Sequence, residues 1–322
     1  MDVFEPPSAN ETLEEARARN VRDALREDVG TGDWTARLVP EGPVVARVRV
    51  RDEAVLCGRD WFEATFRALD GAVHVDWFYH EGADMAADTP VCEVHGDARA
   101  LLTAERPALN FLQLLSGTAT VTRRYVRAIE GASPNPRGCA VLDTRKTIPG
   151  LRQAQKYAVR VGGGTNQRLA LWDGILVKEN HIAAAGGVGA ALGGAAALEA
   201  GVEIQVEVET LDQLRQALEA GATSVLLDNF TLERMREAVV LTAGRALLEA
   251  SGGVTLEQLR KIAATGVDRI SIGALTKDVH AIDYSMRIVE RSLPAPAVVE
   301  GTGSRSPSLK PRESRGSAPS GS

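Results

Sequence analysis

Two rhythms of apolar residues divide the chain. From Thr12 to Asp28, Leu13, Ala16, Val21, Ala24 and Leu25 recur near helical spacing and the run stops ahead of Gly30, predicting an amphipathic helix with a glycine exit. The stretches Val44–Val50 and Val73–Trp77 alternate as half-buried strands do, with an aromatic helical segment, Asp60–Leu69, between them. Ala98–Leu115 is a long apolar helical stretch, expected to kink at Pro107, which has no N–H to give to a helix. Elements in this order, without a βαβ rhythm, predict an antiparallel sheet with helices on one face.

From about residue 139 the rhythm changes. Short apolar runs each lead to a polar residue or glycine: Cys139–Leu142 to Asp143, Gly174–Val177 to Lys178, Ile204–Val206 to Glu207, Val225–Leu227 to Asp228, Ala246–Leu248 to Ser251, and Ile270–Ile272 to Gly273. The intervals from Glu207 onward are 21, 23 and 22 residues, with helical patterns at Leu211–Leu218, Leu232–Leu241 and Leu256–Ala263 filling them. One strand, one helix and two short turns consume that length, so the pattern is a βα repeat whose natural closure is a parallel barrel. The predicted fold class is α/β. An N-terminal α+β domain with an antiparallel sheet (1–116) is joined by a helix around 281–293 and precedes an open (β/α) barrel (117–280). The last segment, 294–322, is rich in Gly, Pro and Ser and almost free of apolar residues after Val299; it is expected to be disordered.

Composition narrows the function classes. The 322 residues suffice for about two domains with a real core. A balance of 37 Lys+Arg against 43 Asp+Glu leaves a net −6, which gives no basic footprint for nucleic acid. Three scattered cysteines without a C-x-x-C, and five histidines without an H-x-x-x-H, support neither a disulfide framework nor a zinc site. The acidic N-terminus lacks the apolar core of a signal peptide. The uncharged run Ile182–Leu198 is too short for a membrane helix, and its Gly189-x-x-x-Gly193 reads as packing. A reducing, cytoplasmic compartment is expected.

Barrel chemistry sits at the C-terminal ends of the strands. Those positions and their loops hold Asp143-Thr-Arg-Lys-Thr147 with Arg152, Lys156-Tyr-Ala-Val-Arg160, Gly162-Gly-Gly-Thr-Asn-Gln-Arg168, Lys178-Glu-Asn-His181, Glu207, Asp228-Asn229, Ser251-Gly252-Gly253 and Gly273-Ala274. Cations converging on one face of an acidic protein suit a polyanionic ligand carrying carboxylates or phosphates. Glycines at the last strand ends allow close backbone approach to a phosphate. Glu207 and Asp228, the acidic minority, suit Mg²⁺ or sugar hydroxyls.

These stretches, together with Thr103–Asn110, Leu114–Thr120, Asp143–Arg152, Lys156–Gly164, Val177–Ile182, Leu226–Phe230, Ala250–Gly253 and Ser271–Thr276, resemble in order the quinolinate phosphoribosyltransferases. The resemblance implies transfer of a phosphoribosyl group from phosphoribosyl pyrophosphate to quinolinate with loss of carbon dioxide, a step of NAD biosynthesis. It implies that Arg145, Arg168 and Lys178 surround the quinolinate carboxylates and that Lys146 lies between the substrates. Glu207 and Asp228 would hold the ribose hydroxyls and, indirectly, Mg²⁺. Ser251, Gly252, Gly253, Gly273 and Ala274 would bind phosphate. Arg106 would reach the site of a neighbouring subunit, implying a homodimer or higher homo-oligomer with shared active sites. No nucleic acid or membrane partner is implied. Three positions depart from the family pattern: Gln167 and Lys277 stand where histidine is usual, and Pro107 falls in the helix bearing Arg106.

Taken singly, each residue has a bland reading: Arg106 and Arg152 as solvated helix charges, Asp228-Asn229 as a helix cap, the glycines as flexible loops, His181 as a capping side chain. Lys178 or Lys146 could instead serve a Schiff-base lyase. Gln167 could mark a preference for another aromatic carboxylate, or a phosphosugar-binding relative without activity.

Overall fold

The computed structural model describes residues 9–291; the segment 294–322, expected to be disordered, lies outside them. Helix α1 (Leu13–Val29) starts on a capping box in which the Thr12 hydroxyl accepts from Glu15 N and the Glu15 carboxylate accepts from Thr12 N, and it exits through Gly30 at positive φ. Next come β1 (Pro43–Val50), β2 (Ala54–Val55), α2 (Arg59–Arg67), β3 (His74–Trp77), β4 (Asp84–Met85) and β5 (Pro90–Asp97). Strand β5 runs into α3 (Ala98–Ile129), whose first turn is capped by the Asp97 carboxylate accepting from Arg99 N and Ala100 N.

The barrel half comprises β6 (Ala140–Leu142), α4 (Arg152–Val161), β7 (Gly174–Val177), α5 (Glu179–Ala185), α6 (Val188–Ala197), β8 (Glu203–Val208), α7 (Leu211–Glu219), β9 (Ser224–Asp228), α8 (Leu232–Thr242), β10 (Leu247–Ser251), α9 (Leu256–Ala263), β11 (Arg269–Ser271) and α10 (Ala274–Lys277). The chain returns through β12 (Tyr284–Arg291).

Four strands form the first sheet, in the order β12-β1-β5-β3 with every pairing antiparallel. The helix expected around 281–293 is instead β12, which pairs with β1 from Val44↔Arg291 to Val50↔Tyr284. The physical reason is alternation: Tyr284 and Met286 fall on the buried face, with Ser285 and Arg287 on the other. Helix α3 runs on through Pro107 to Ile129 without a break in its assignment, well past the Leu115 where the apolar pattern ended. At 32 residues it is about 48 Å long and serves as the spine of both halves. Leu101, Leu109 and Leu112 pack under the antiparallel sheet, Leu115 and Ala119 against α4, and Tyr125 and Ile129 in the barrel core. Where α3 crosses the segment after α10, a Cβ at Gly117 would overlap the His280 carbonyl, so only glycine fits.

The second sheet is wholly parallel, in the order β6-β11-β10-β9-β8-β7. Its edge strands β6 and β7 do not pair; Thr165 bridges to Leu142 there, so the barrel is open at this seam. Val206, Val208, Val225, Leu227, Leu248, Ala250, Ile270 and Ile272 pack outward under the helices. The alternate positions face inward and are largely polar, among them Glu203, Gln205, Glu207, Asp228, Glu249, Ser251 and Arg269. Among the described residues no helix is long and apolar enough to cross a membrane.

Candidate active site at the mouth of the barrel

A buried ion pair organises the seam. Asp143, just past β6, is fully buried and accepts from the equally buried ammonium of Lys156 on α4. The remaining acceptor capacity of Asp143 takes Asn166 Nδ2 and Gln167 N (2.9 Å), and Lys156 Nζ also donates to the Gln167 carbonyl at 2.8 Å. Burial pushes Asp143 up and Lys156 down, against the attraction of the pair. The two groups thereby fix the backbone at Asn166 and Gln167, next to Arg168.

The side chain of Arg168 turns toward the start of β7 and lines a cavity with Glu203, Gln205 and Arg269, and both it and Arg152 lie near the guanidinium of Arg145. Arg152, at the start of α4, donates to Thr147 Oγ1 (3.1 Å) and lies 3.4 Å from the Arg145 carbonyl. Burial lowers the pKa of both Arg152 and Arg168, and the nearby charge of Arg145 lowers each further. Arg145 Nε is buried without a partner among the described residues. Arg168 satisfies one donor on the Gly174 carbonyl at 2.9 Å. Arg145 thus stands between two like charges, and guanidinium groups so placed suit a carboxylate or phosphate. A cavity of about 410 Å³ opens beside them, lined in part by Thr147, Arg152, Gln153, Leu169 and Trp172.

The acidic side follows on the next strands. Lys178, the N-cap residue of α5, places its ammonium 3.5 Å from Glu207 on β8. Burial pushes Glu207 above the ordinary carboxylate range; Lys178 opposes this, and Asp228 and Glu179 add to it. Asp228 closes β9 and accepts from Asn229 Nδ2 at 2.9 Å. Asn229, in the left-handed region, donates its backbone N–H to the Ser251 carbonyl at 3.0 Å. Gly252 has a φ of +105°, and a Cβ there would overlap the Asn229 amide, so glycine is required twice over. Lys146 completes the ring: its side chain lies against Gly273, with Thr144 beside it, and Thr276 Oγ1 donates to its carbonyl.

The structure therefore brings Arg145, Lys146, Lys178, Glu207, Asp228, Ser251–Gly253, Gly273 and Ala274 to one end of the barrel, whereas the Arg168 side chain turns away from it to the Gly174 carbonyl at the start of β7. Gln167 borders the same region, but its amide points into the barrel and donates to Gln205 Oε1 at 3.1 Å. Arg106 stands apart. It is exposed on α3 and makes no ion pair or side-chain hydrogen bond among the described residues. His181 takes the bland role, accepting the Lys178 N–H at 3.0 Å. Lys277 is neutralised locally by Asp278 at 2.6 Å. The reading by strand ends quoted Asn166 only as part of its loop, without a role, and missed Gln205 and Glu249. The last two were marked by polar residues at every second position in Glu203-Ile-Gln-Val-Glu207 and Leu247-Leu-Glu-Ala-Ser251.

No three His, Cys, Asp or Glu side chains gather as a metal cage among the described residues. Glu207 and Asp228 are nonetheless two carboxylates at neighbouring strand ends, near enough for one to raise the other's pKa. Such a pair fits Mg²⁺, which favours one or two carboxylates and completes its shell with phosphate and water.

The family described as the quinolinate phosphoribosyl transferase N-terminal domain matches residues 33–116, and its C-terminal domain matches residues 118–287. The chain is 42% identical over 265 residues to a probable nicotinate-nucleotide pyrophosphorylase [carboxylating] of Bacillus subtilis, covering 81% of this chain and 90% of that one. It is 38% identical over 279 residues to the nicotinate-nucleotide pyrophosphorylase [carboxylating] of Homo sapiens, covering 85% and 92%. The solved nicotinate-nucleotide pyrophosphorylase of Francisella tularensis superposes with a TM-score of 0.82 at 43% identity, over 88% of this chain and all of that one. With both domains matched in order around this cationic mouth, the chain belongs to the quinolinate phosphoribosyltransferase family of pentosyltransferases.

Proposed function

We propose that this chain transfers the phosphoribosyl group of phosphoribosyl pyrophosphate to quinolinate, yielding nicotinate mononucleotide, pyrophosphate and carbon dioxide. The observation that carries the reading is the combination of Arg145, with its unpartnered Nε beside Arg152 and Arg168, and the Lys178–Glu207–Asp228 group on strand ends of the same barrel. A dicarboxylate supplies the charge that the arginines lack, while an electron-poor ribose suits the carboxylates.

Arg145, Arg168 and Lys178 clamp the two quinolinate carboxylates and set the ring nitrogen against the sugar carbon. For a weak nucleophile this orientation is the main contribution. Gln167 borders the same subsite, and Arg106 of a second copy adds a further cation to it, which makes a homodimer the working assembly. Ser251, Gly252, Gly253, Gly273 and Ala274 offer backbone N–H groups and close approach to phosphate. The ring nitrogen forms a bond to the anomeric carbon as the carbon–pyrophosphate bond breaks. Glu207 and Asp228 bind the ribose hydroxyls and stabilise the positive charge that develops on the sugar. Lys146, between the two subsites, neutralises the departing pyrophosphate. Mg²⁺, when bound near Glu207 and Asp228, supplies the rest of that neutralisation. As the 2-carboxylate departs as carbon dioxide, its bonding pair stays on ring carbon 2, where the adjacent cationic nitrogen stabilises the carbanion, and a proton from water is then taken up at that carbon.

Lys178 is ion-paired and half-exposed, not held dry as a free amine, so the structure gives no support to a Schiff-base lyase. We place the enzyme in the cytoplasm. The test is an assay of the purified chain with quinolinate, phosphoribosyl pyrophosphate and Mg²⁺, with nicotinate as the control acid. Equal yields of nicotinate mononucleotide, pyrophosphate and carbon dioxide are expected. Turnover of nicotinate in place of quinolinate would assign another acid. Binding of phosphoribosyl pyrophosphate without turnover of either acid would leave a non-catalytic relative.

A further inference from the structure

Beneath the mouth, the barrel interior holds a hydrogen-bond chain that the reaction just described does not use. Glu249, in the middle of β10 and one inward position below Ser251, is 1% exposed. Its Oε2 accepts from Gln205 Nε2 at 2.9 Å, across the barrel from β8, and Gln205 is itself 5% exposed. Gln205 Oε1 in turn accepts from Gln167 Nε2 at 3.1 Å. Strand β9 lies between β8 and β10, and at this level it contributes Leu226, which pairs with Glu249 and offers no competing polar group.

A side-chain amide has a donor end and an acceptor end, and nothing in its shape selects between them. Glu249 selects. Its oxygen takes the N–H end of Gln205, which turns the Gln205 carbonyl toward Gln167, which in turn fixes the amide of Gln167. The Gln167 backbone is already held at both ends, its N–H by Asp143 and its carbonyl by Lys156. The side chain is the remaining degree of freedom at this residue, and the next residue is Arg168 of the acid subsite. Burial pushes the Glu249 carboxyl up, against the hydrogen bond from Gln205, the neighbouring Ser271 hydroxyl and the charge of Arg269, so a carboxylate is kept here at a desolvation cost.

We infer that Glu249 is a positioning residue for the acid subsite, acting through Gln205 to lock the amide of Gln167 in the orientation that meets the aromatic dicarboxylate. The inference rests on the proposed function, and its test separates the two. Full-length enzyme is assayed with quinolinate and phosphoribosyl pyrophosphate varied in turn. Glu249→Leu removes the acceptor and is expected to raise the KM for quinolinate about tenfold, the scale of one hydrogen bond. The kcat and the KM for phosphoribosyl pyrophosphate should stay within about twofold. Glu249→Gln keeps a carbonyl for Gln205 and should restore the KM to within about threefold of wild type. Gln167→Ala should show the same defect, and the double variant Glu249→Leu/Gln167→Ala should be no worse than Gln167→Ala. If Glu249→Leu does not fold, Gln205→Leu breaks the same chain at its middle link.

An unchanged KM, equal losses on both substrates, or defects that multiply in the double variant would each overturn the inference while leaving the proposed function standing. A substrate-free readout covers the reverse case. With ¹⁵N-glutamine labelling, the Gln167 side-chain amide protons should be protected from solvent exchange in wild type and Glu249→Gln and unprotected in Glu249→Leu. If they are unprotected in wild type, the inference fails whatever acid the enzyme uses.

Discussion

The sharpest stability prediction concerns Lys156→Met. Lys156 and Asp143 are 1% and 0% exposed at their side chains, so water screens neither charge. Methionine keeps the length and apolar stem of lysine but supplies no cation. Asp143 would then be left with only the neutral donors Asn166 Nδ2 and Gln167 N, and the Gln167 carbonyl would lose the donor it has at 2.8 Å. Removing one member of a buried pair costs about 3–5 kcal/mol, because the other charge stays buried and uncompensated. For a chain of this size each kcal/mol lowers Tm by roughly 2–4 °C, so a fall of about 10 °C is expected at neutral pH.

The pH dependence fixes the cause. Burial raises Asp143 in the folded state, and loss of Lys156, which opposes that rise, must raise it further. A carboxyl whose folded pKa exceeds its unfolded value contributes stability that is complete below the unfolded pKa and lost as pH rises through the folded one. The deficit of Lys156→Met should therefore be smallest in acid and grow toward neutral pH. Calorimetric melting of wild type and variant from pH 5 to pH 8 measures it. A Tm within about 2 °C of wild type at neutral pH, or a deficit that widens on acidification, would show that the pair is not ionised as described. The double variant Asp143→Leu/Lys156→Met should recover most of the lost Tm, since an apolar pair of similar volume leaves no buried charge. It should not recover quinolinate turnover, because the Gln167–Arg168 backbone would have lost its anchor.

Other substitutions probe the mouth directly. Arg145→Ala should lower kcat/KM for quinolinate by roughly 100-fold, as charge-assisted bonds to a carboxylate are lost, with Tm unchanged or slightly raised because Arg152 and Arg168 are relieved of a like charge; near-normal turnover would remove Arg145 from the acid subsite. Gly252→Ala strains a φ of +105° and drives a methyl group into Asn229, so it should raise the KM for phosphoribosyl pyrophosphate at least about tenfold with a smaller change for quinolinate, and equal effects on both would argue against a phosphate turn there. Glu207 is needed as a carboxylate and burial raises its pKa, so the acid limb of kcat/KM should lie above the ordinary carboxylate value of about 4.3. The limb should move to still higher pH in Lys178→Met, which removes the opposing cation; a limb that stays put, read from the residual activity across pH, would uncouple the two residues.

What could be read from the sequence, and what could not, follows from the range of the interactions involved. Apolar periodicity is local, and it placed β8 through β11 and α7 through α9 within one to three residues, because each strand buries one face under helices and each helix buries one stripe. The same local logic placed Asp143, Lys178, Glu207, Asp228 and Ser251 at strand ends, where a barrel exposes them together. Strand β12 failed because Tyr284-Ser-Met-Arg-Ile-Val-Glu-Arg291 is short and mixed, and its partner, β1, lies more than 200 residues earlier. Helix α3 outran its pattern because its second half packs on the barrel instead of under the sheet, so the apolar stripe changes face along it. The deepest loss was in the barrel interior. There Gln205 and Glu249 are buried polar residues, satisfied by one another and by Gln167 across three separate chain segments. A rule that equates buried with apolar reads such positions as solvent-facing. A rule that expects a buried polar side chain to have a buried polar partner would have paired them, since period-two placement on β8 and β10 puts both on the inner face of the curled parallel sheet. The interior of this barrel is thus linked to its mouth by hydrogen bonds, with Glu249, one inward position below Ser251, joined through Gln205 to Gln167.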